Sequence, residues 1–88
     1  MRRGVFLYIT IMEQFSRITH NPVVMGGKAC IRGMRVTVGN ILEQLGTGRS
    51  IEELLVDFPY LEKEDVLEAI RYAAWRTQER EVPFNVAI

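Results

Sequence analysis

The run Ser50-Ile51-Glu52-Glu53-Leu54-Leu55-Val56-Asp57-Phe58-Pro59-Tyr60-Leu61-Glu62-Lys63-Glu64-Asp65-Val66 decides the fold. Ser50 stands three residues ahead of Glu53, the spacing of a capping box in which each side chain satisfies the other's backbone amide. Ile51, Leu54, Leu55 and Phe58 then recur at i, i+3, i+4 and i+7, one apolar stripe of an amphipathic helix. Pro59 disfavours helical geometry in the residue before it, so this helix stops at Phe58. Glu62, Glu64 and Asp65 crowd the first turn of the next helix, where the macrodipole favours negative charge. Only Pro59-Tyr60-Leu61 separates the two, a connection of helix-turn-helix length.

Toward the C-terminus, Val66, Leu67, Ile70, Ala73 and Ala74 give this last helix a wide apolar face, and Arg76 and Arg80 suit its far end. Toward the N-terminus, Thr37 is an N-cap followed by Val38, Ile41, Leu42 and Leu45, a further apolar stripe that Gly46 and Gly48 end. Ahead of it, Ala29 to Val38 reads as two short strands around Gly33, a residue free to take the positive φ of a tight reversal. Arg17 to Pro22 reads as a short extended piece ending in an Asn-Pro turn, and Gly26-Gly27 as a bend. The expected fold is mainly α, a three-helix homeodomain-like helix-turn-helix bundle with a small N-terminal β-hairpin, over residues 17–80.

Two segments flank that domain. Residues 1–16 form an N-terminal extension whose start, Met1-Arg2-Arg3 before a short apolar run, mimics a signal peptide but lacks a small-residue cleavage site. It is also too short for a membrane span, which needs about 20 apolar residues. Either Met12 is the true start or the extension is an extra paired strand; both readings stand. Residues 81–88 form an apolar tail, Val82-Pro83-Phe84-Asn85-Val86-Ala87-Ile88, without helical caps.

Composition narrows the function. At 88 residues and 48% hydrophobic the chain is one ordinary globular domain, expected to bury about 60–65% of its unfolded surface and to gain from a partner or a second copy. Eleven basic and eleven acidic side chains cancel, which argues against a polybasic nucleic-acid binder. The cancellation hides a split. Residues 1–49 hold seven cations against two acids, and residues 50–88 four against nine. Such asymmetry suits partners of defined sign or two copies pairing, although solvated faces with different charges would give the same count. One cysteine and one histidine leave no disulfide and no usual metal cluster, so no cofactor is expected and a reducing, cytoplasmic setting is the economical reading.

Candidate functional residues fall in two groups. Lys28, Arg32, Arg35 and Arg49, with Arg17 adjacent, gather on and near the β-element, where arginine offers bidentate geometry to phosphate. The competing role, which we weigh more heavily, is that some of them pair with acids of the last helix and hold the hairpin down. Tyr72 and Trp75 with the tail residues Val82, Pro83, Phe84, Val86 and Ile88 are candidates for a partner surface, core packing being the alternative for the two aromatics. Gly26-Gly27-Lys28 lacks the rest of a phosphate-binding loop. His20 and Cys30 would need mutual contact to act as base and nucleophile, and turn packing and burial are the preferred readings. No catalytic residue and no enzyme activity are expected.

Several segments together resemble a known family. They are Arg17-Ile18-Thr19, Gly26-Gly27-Lys28-Ala29-Cys30-Ile31-Arg32-Gly33-Met34-Arg35-Val36, Leu45-Gly46-Thr47-Gly48, Glu52 to Pro59, and Asp65-Val66. The chain over about residues 17–75 is similar to the family called domain of unknown function 433, and Gly-Lys-x-Cys-Ile-Arg-Gly is the most specific part of the match. It departs from the family's usual proline at Ala29, threonine at Met34, and Thr or Ser cap at Glu62. The resemblance implies a homeodomain-type helix-turn-helix and an antitoxin that neutralises a PIN-like ribonuclease toxin, here through the acidic last helix and the tail. The alternatives are a dimeric DNA-binding regulator and a homodimeric structural module. The acids Glu62, Glu64, Asp65 and Glu68 make the last helix a poor DNA reader, because they would repel the phosphates that supply most nonspecific affinity.

Overall fold

In the computed structural model, residues 14–87 are described, and side chains over 14–78. Two short antiparallel strands, β1 (Ile18–Thr19) and β2 (Cys30–Ile31), precede three helices, α1 (Val38–Gly46), α2 (Ile51–Asp57) and α3 (Lys63–Ala87). The expected three-helix domain with a small N-terminal sheet is what forms. The expected extension, residues 1–16, lies almost wholly outside the described residues.

The capping signals act as read. Thr37 accepts the Asn40 amide at the head of α1. At α2, Ser50 accepts the Glu53 amide at 3.1 Å while the Glu53 carboxylate accepts the Ser50 amide at 2.9 Å, closing the box. At α3 the missing Thr or Ser cap is replaced from inside the helix. The Asp65 carboxylate accepts the Glu62 amide at 2.8 Å, one half of a capping box.

The reversal at Gly33 is tight: Met34 N–H donates to the Ile31 carbonyl at 2.8 Å, with φ +45° at Arg32 and +74° at Gly33. Positive φ at both central residues is the type I′ pattern. The main strand partner differs from the expected one. Cys30–Ile31 pairs with Ile18–Thr19, in register Ile18 opposite Ile31, and meets the Val36–Thr37 limb through the Ile31 N–H to Val36 carbonyl bond and a single bridge between Cys30 and Thr37.

The core joins all five elements: Ile18, Ile31, Val38, Ile41, Leu54 and Val66 are buried together, with Phe15, Leu61, Ala69 and Tyr72 around them. The face that α3 turns inward is not the one its apolar spacing suggests. Val66, Ala69 and Tyr72 are buried together with Asp65 and Glu68, whereas Ile70 is 38% exposed and Ala74 faces solvent. Acids rarely go inside unless paired, and both are met there by the β-element. The helix runs to Ala87, so the backbone of Val82–Ala87 continues α3 where a capless tail was expected.

Candidate functional site

Two regions carry the candidate residues. The first is a charge cluster between β1, the Arg32–Gly33 turn and the start of α3. The Asp65 side chain is wholly buried and receives four hydrogen bonds. Arg32 donates from Nε to Oδ1 at 3.1 Å and from Nη2 to Oδ2 at 2.9 Å, Arg17 Nη1 donates to Oδ1 at 2.8 Å, and the Glu62 amide donates to Oδ2. A carboxylate has about four acceptor sites, and here all are filled. Burial pushes the Asp65 carboxyl up, but the bonds from Arg32, the Glu62 amide and Arg17 outweigh it and hold the group below its ordinary value.

The arginines respond in the opposite sense. Arg17 is held charged by its hydrogen bonds to Glu62 and then Asp65, and Arg32 by its bonds to Asp65. Arg17 also donates its backbone N–H to the buried Glu68 carboxylate at 2.7 Å, and Arg32 Nη2 reaches the Tyr60 carbonyl at 3.0 Å. The β-element is thus tied to both the α2–α3 connection and α3. Arg49 pairs with Asp57 and hydrogen-bonds Gln44, joining α1 to α2; its bond to Asp57 raises its pKa.

Four cations read as candidates for phosphate thus separate. Arg32 and Arg49 are engaged with carboxylates, while Lys28 and Arg35 are exposed and make no ion pair among the described residues. Of the partner candidates, Tyr72 is buried, its ring edge-on to Phe15 at 5.4 Å, and its hydroxyl lies 3.0 Å from His20 Nε2. It is core and not free surface. Trp75 is half-buried, packed on Phe15 and Tyr72. The side chains of Val82, Pro83, Phe84 and Val86, and all of Ile88, lie outside the described residues. His20 bonds Tyr72, and Cys30 is a buried free thiol. Among the described residues no three His, Cys, Asp or Glu side chains gather as metal ligands, and no helix is long and apolar enough to cross a membrane.

Two features were missed by sequence reasoning. One is an exposed face of α2 on which Val56, 77% exposed, follows Glu52 by one turn, beside Glu53 and Asp57, with Tyr60 52% exposed just beyond. The signal was present, since Val56 lies off the Ile51-Leu54-Leu55-Phe58 stripe. The other is an open groove of about 760 Å³ between the β-element, the head of α1 and the middle of α3.

A small helical domain pinned to a β-hairpin through one buried carboxylate is the class this geometry defines. The chain belongs to the family described as "Protein of unknown function (DUF433)", whose model matches residues 18–73. A crystal structure of a member of that family from Anabaena variabilis ATCC 29413 is similar, with a TM-score of 0.65 at 26% identity over 98% of this chain and 81% of that one. An uncharacterized protein of Sinorhizobium fredii, y4eO, is 34% identical over 56 residues. Those residues are 64% of this chain but 25% of that protein, so the chain spans about a quarter of the length of this curated relative.

Proposed function

We propose that the protein is an antitoxin-like binding module that masks a PIN-type ribonuclease, and that the exposed face of α2 is its main contact surface. The observation that carries this reading is the exposed apolar pair Val56 and Tyr60 with the exposed acids Glu52 and Glu53 on α2; Asp57, on the same helix, is paired with Arg49. A nuclease must present cations around its RNA path, because phosphate contacts dominate nucleic-acid affinity. An acidic face with an apolar centre complements such a surface: the charges steer the encounter, and the buried apolar residues hold the complex. The class of enzyme proposed is the one the family resemblance implies.

The DNA-binding alternative draws less support. Arg32 and Arg49, two of the four cations it relies on, are engaged with Asp65 and Asp57. Purification of the tagged protein from its own cells, with mass spectrometry of what accompanies it, tests the proposal. A PIN-type nuclease retained by the wild-type chain and lost with a Val56→Asp/Tyr60→Asp variant is the expected result. Retention of the same nuclease by that variant would overturn the assignment of the surface, and recovery of DNA without any nuclease would overturn the function.

A further inference from the structure

We propose that the groove between the β-element, α1 and α3 is a second protein-docking site, and that it takes an extended segment of a partner carrying carboxylates and apolar side chains. Its floor is apolar: Val38 and Tyr72 are buried beneath it, and Leu42, Ala29 and Ala73 are half-buried along it. Its rim is cationic. Lys28 stands on the β-element side and Arg76 on α3, both exposed.

These two cations differ from most others in the described chain. Arg17, Arg32, Arg49 and Arg71 each bind a carboxylate of the same molecule. Lys28 and Arg76 make no ion pair among the described residues, although Glu43 lines the same groove. A fold that neutralises four arginines internally leaves positive charge facing this apolar floor, and that combination is complementary to an acidic, apolar chain. The groove is open to solvent and not enclosed, which suits an extended peptide better than a small molecule that needs a closed cavity. Residues of α2 do not line it, so the site is separate from the face assigned to the nuclease and stands or falls independently.

A random-peptide phage library selected on the intact protein tests this directly. The expected result is enrichment of sequences rich in Asp, Glu, Leu and Phe. A synthetic copy of the enriched peptide should shift the amide resonances of Ala29, Val38, Leu42 and Ala73. A Lys28→Glu/Arg76→Glu variant should fold normally, as neither residue makes an ion pair among the described residues, and bind that peptide about tenfold or more weakly. Glu43→Gln should tighten binding, since Glu43 is the one carboxylate among the described residues that line the groove. Enrichment of basic or charge-indifferent sequences, equal binding by the double variant, or absence of any enriched family would overturn the proposal. So would a short single-stranded RNA displacing the peptide from the same resonances, or self-association of the chain through this groove.

Discussion

Arg32 and Asp65, 33 residues apart in sequence, meet through two parallel hydrogen bonds of 3.1 and 2.9 Å between a guanidinium and a fully buried carboxylate. The contact fixes the orientation of α3 against the sheet, because it turns Asp65 and Glu68 inward and leaves Ile70 outside. Bidentate arginine–carboxylate geometry is directional as well as strong, so the pair specifies one packing where apolar burial alone would tolerate several.

Removing the carboxylate should therefore cost more than an ordinary surface ion pair. Asp65→Ala removes one acceptor from each of two arginines, which keep Glu62 and the Tyr60 carbonyl, takes the acceptor from the Glu62 amide, and opens a polar hole in the core. A loss of about 2–3 kcal/mol is expected, read from urea unfolding. Asp65→Asn keeps the shape and one acceptor oxygen and should lose less.

The same group sets an acid limit. Its folded pKa lies below the unfolded value, so the unfolded chain takes up the proton first as pH falls. The stabilisation is complete above the ordinary carboxylate range, near pH 4 and upward, and is lost as pH drops through the folded pKa. Melting temperature measured against pH should fall below about pH 4 in the wild type and fall less steeply in Asp65→Asn.

Arg32 also sits at φ +45°, a left-handed conformation that costs a side-chain-bearing residue but not glycine. Arg32→Ala and Arg32→Gly both lose the guanidinium, yet only the first keeps the strain. Both should melt below wild type, with the glycine variant above the alanine variant by about 4–8 °C. Equal melting temperatures would mean that the turn relaxes when the pair is broken.

At the head of α2, Ser50→Ala removes the acceptor for the Glu53 amide and half of the capping box. A cost of about 1 kcal/mol is expected by thermal unfolding, with no effect on the groove.

The helices were legible because their signals are local. Ser50 with Glu53, Thr37 ahead of Val38, and Pro59 after Phe58 each act within a turn or two of chain. The glycine reversal at Gly33 was legible for the same reason. The face of α3 was not, because Asp65 and Glu68 read as solvated acids until Arg17 and Arg32 arrive from 48 and 33 residues upstream. The pairing of Arg32 with Asp65 and of Arg49 with Asp57 was hidden for the same reason: a lone arginine in sequence is indistinguishable from one already holding a carboxylate. Tyr72 read as a candidate for a partner surface with core packing as the alternative, and its packing on Phe15 and its contact with His20 place it inside.

The function proposed for this chain is the masking of a ribonuclease through the exposed face of α2. The most direct measurement is RNA cleavage by a PIN-type nuclease recovered with the tagged protein, assayed with rising amounts of the intact chain; recovery of no such nuclease would itself count against the proposal. Cleavage should fall to background near equimolar protein, and the Val56→Asp/Tyr60→Asp variant, folded by circular dichroism, should restore it. Undiminished cleavage at a large excess of wild-type protein would contradict the account.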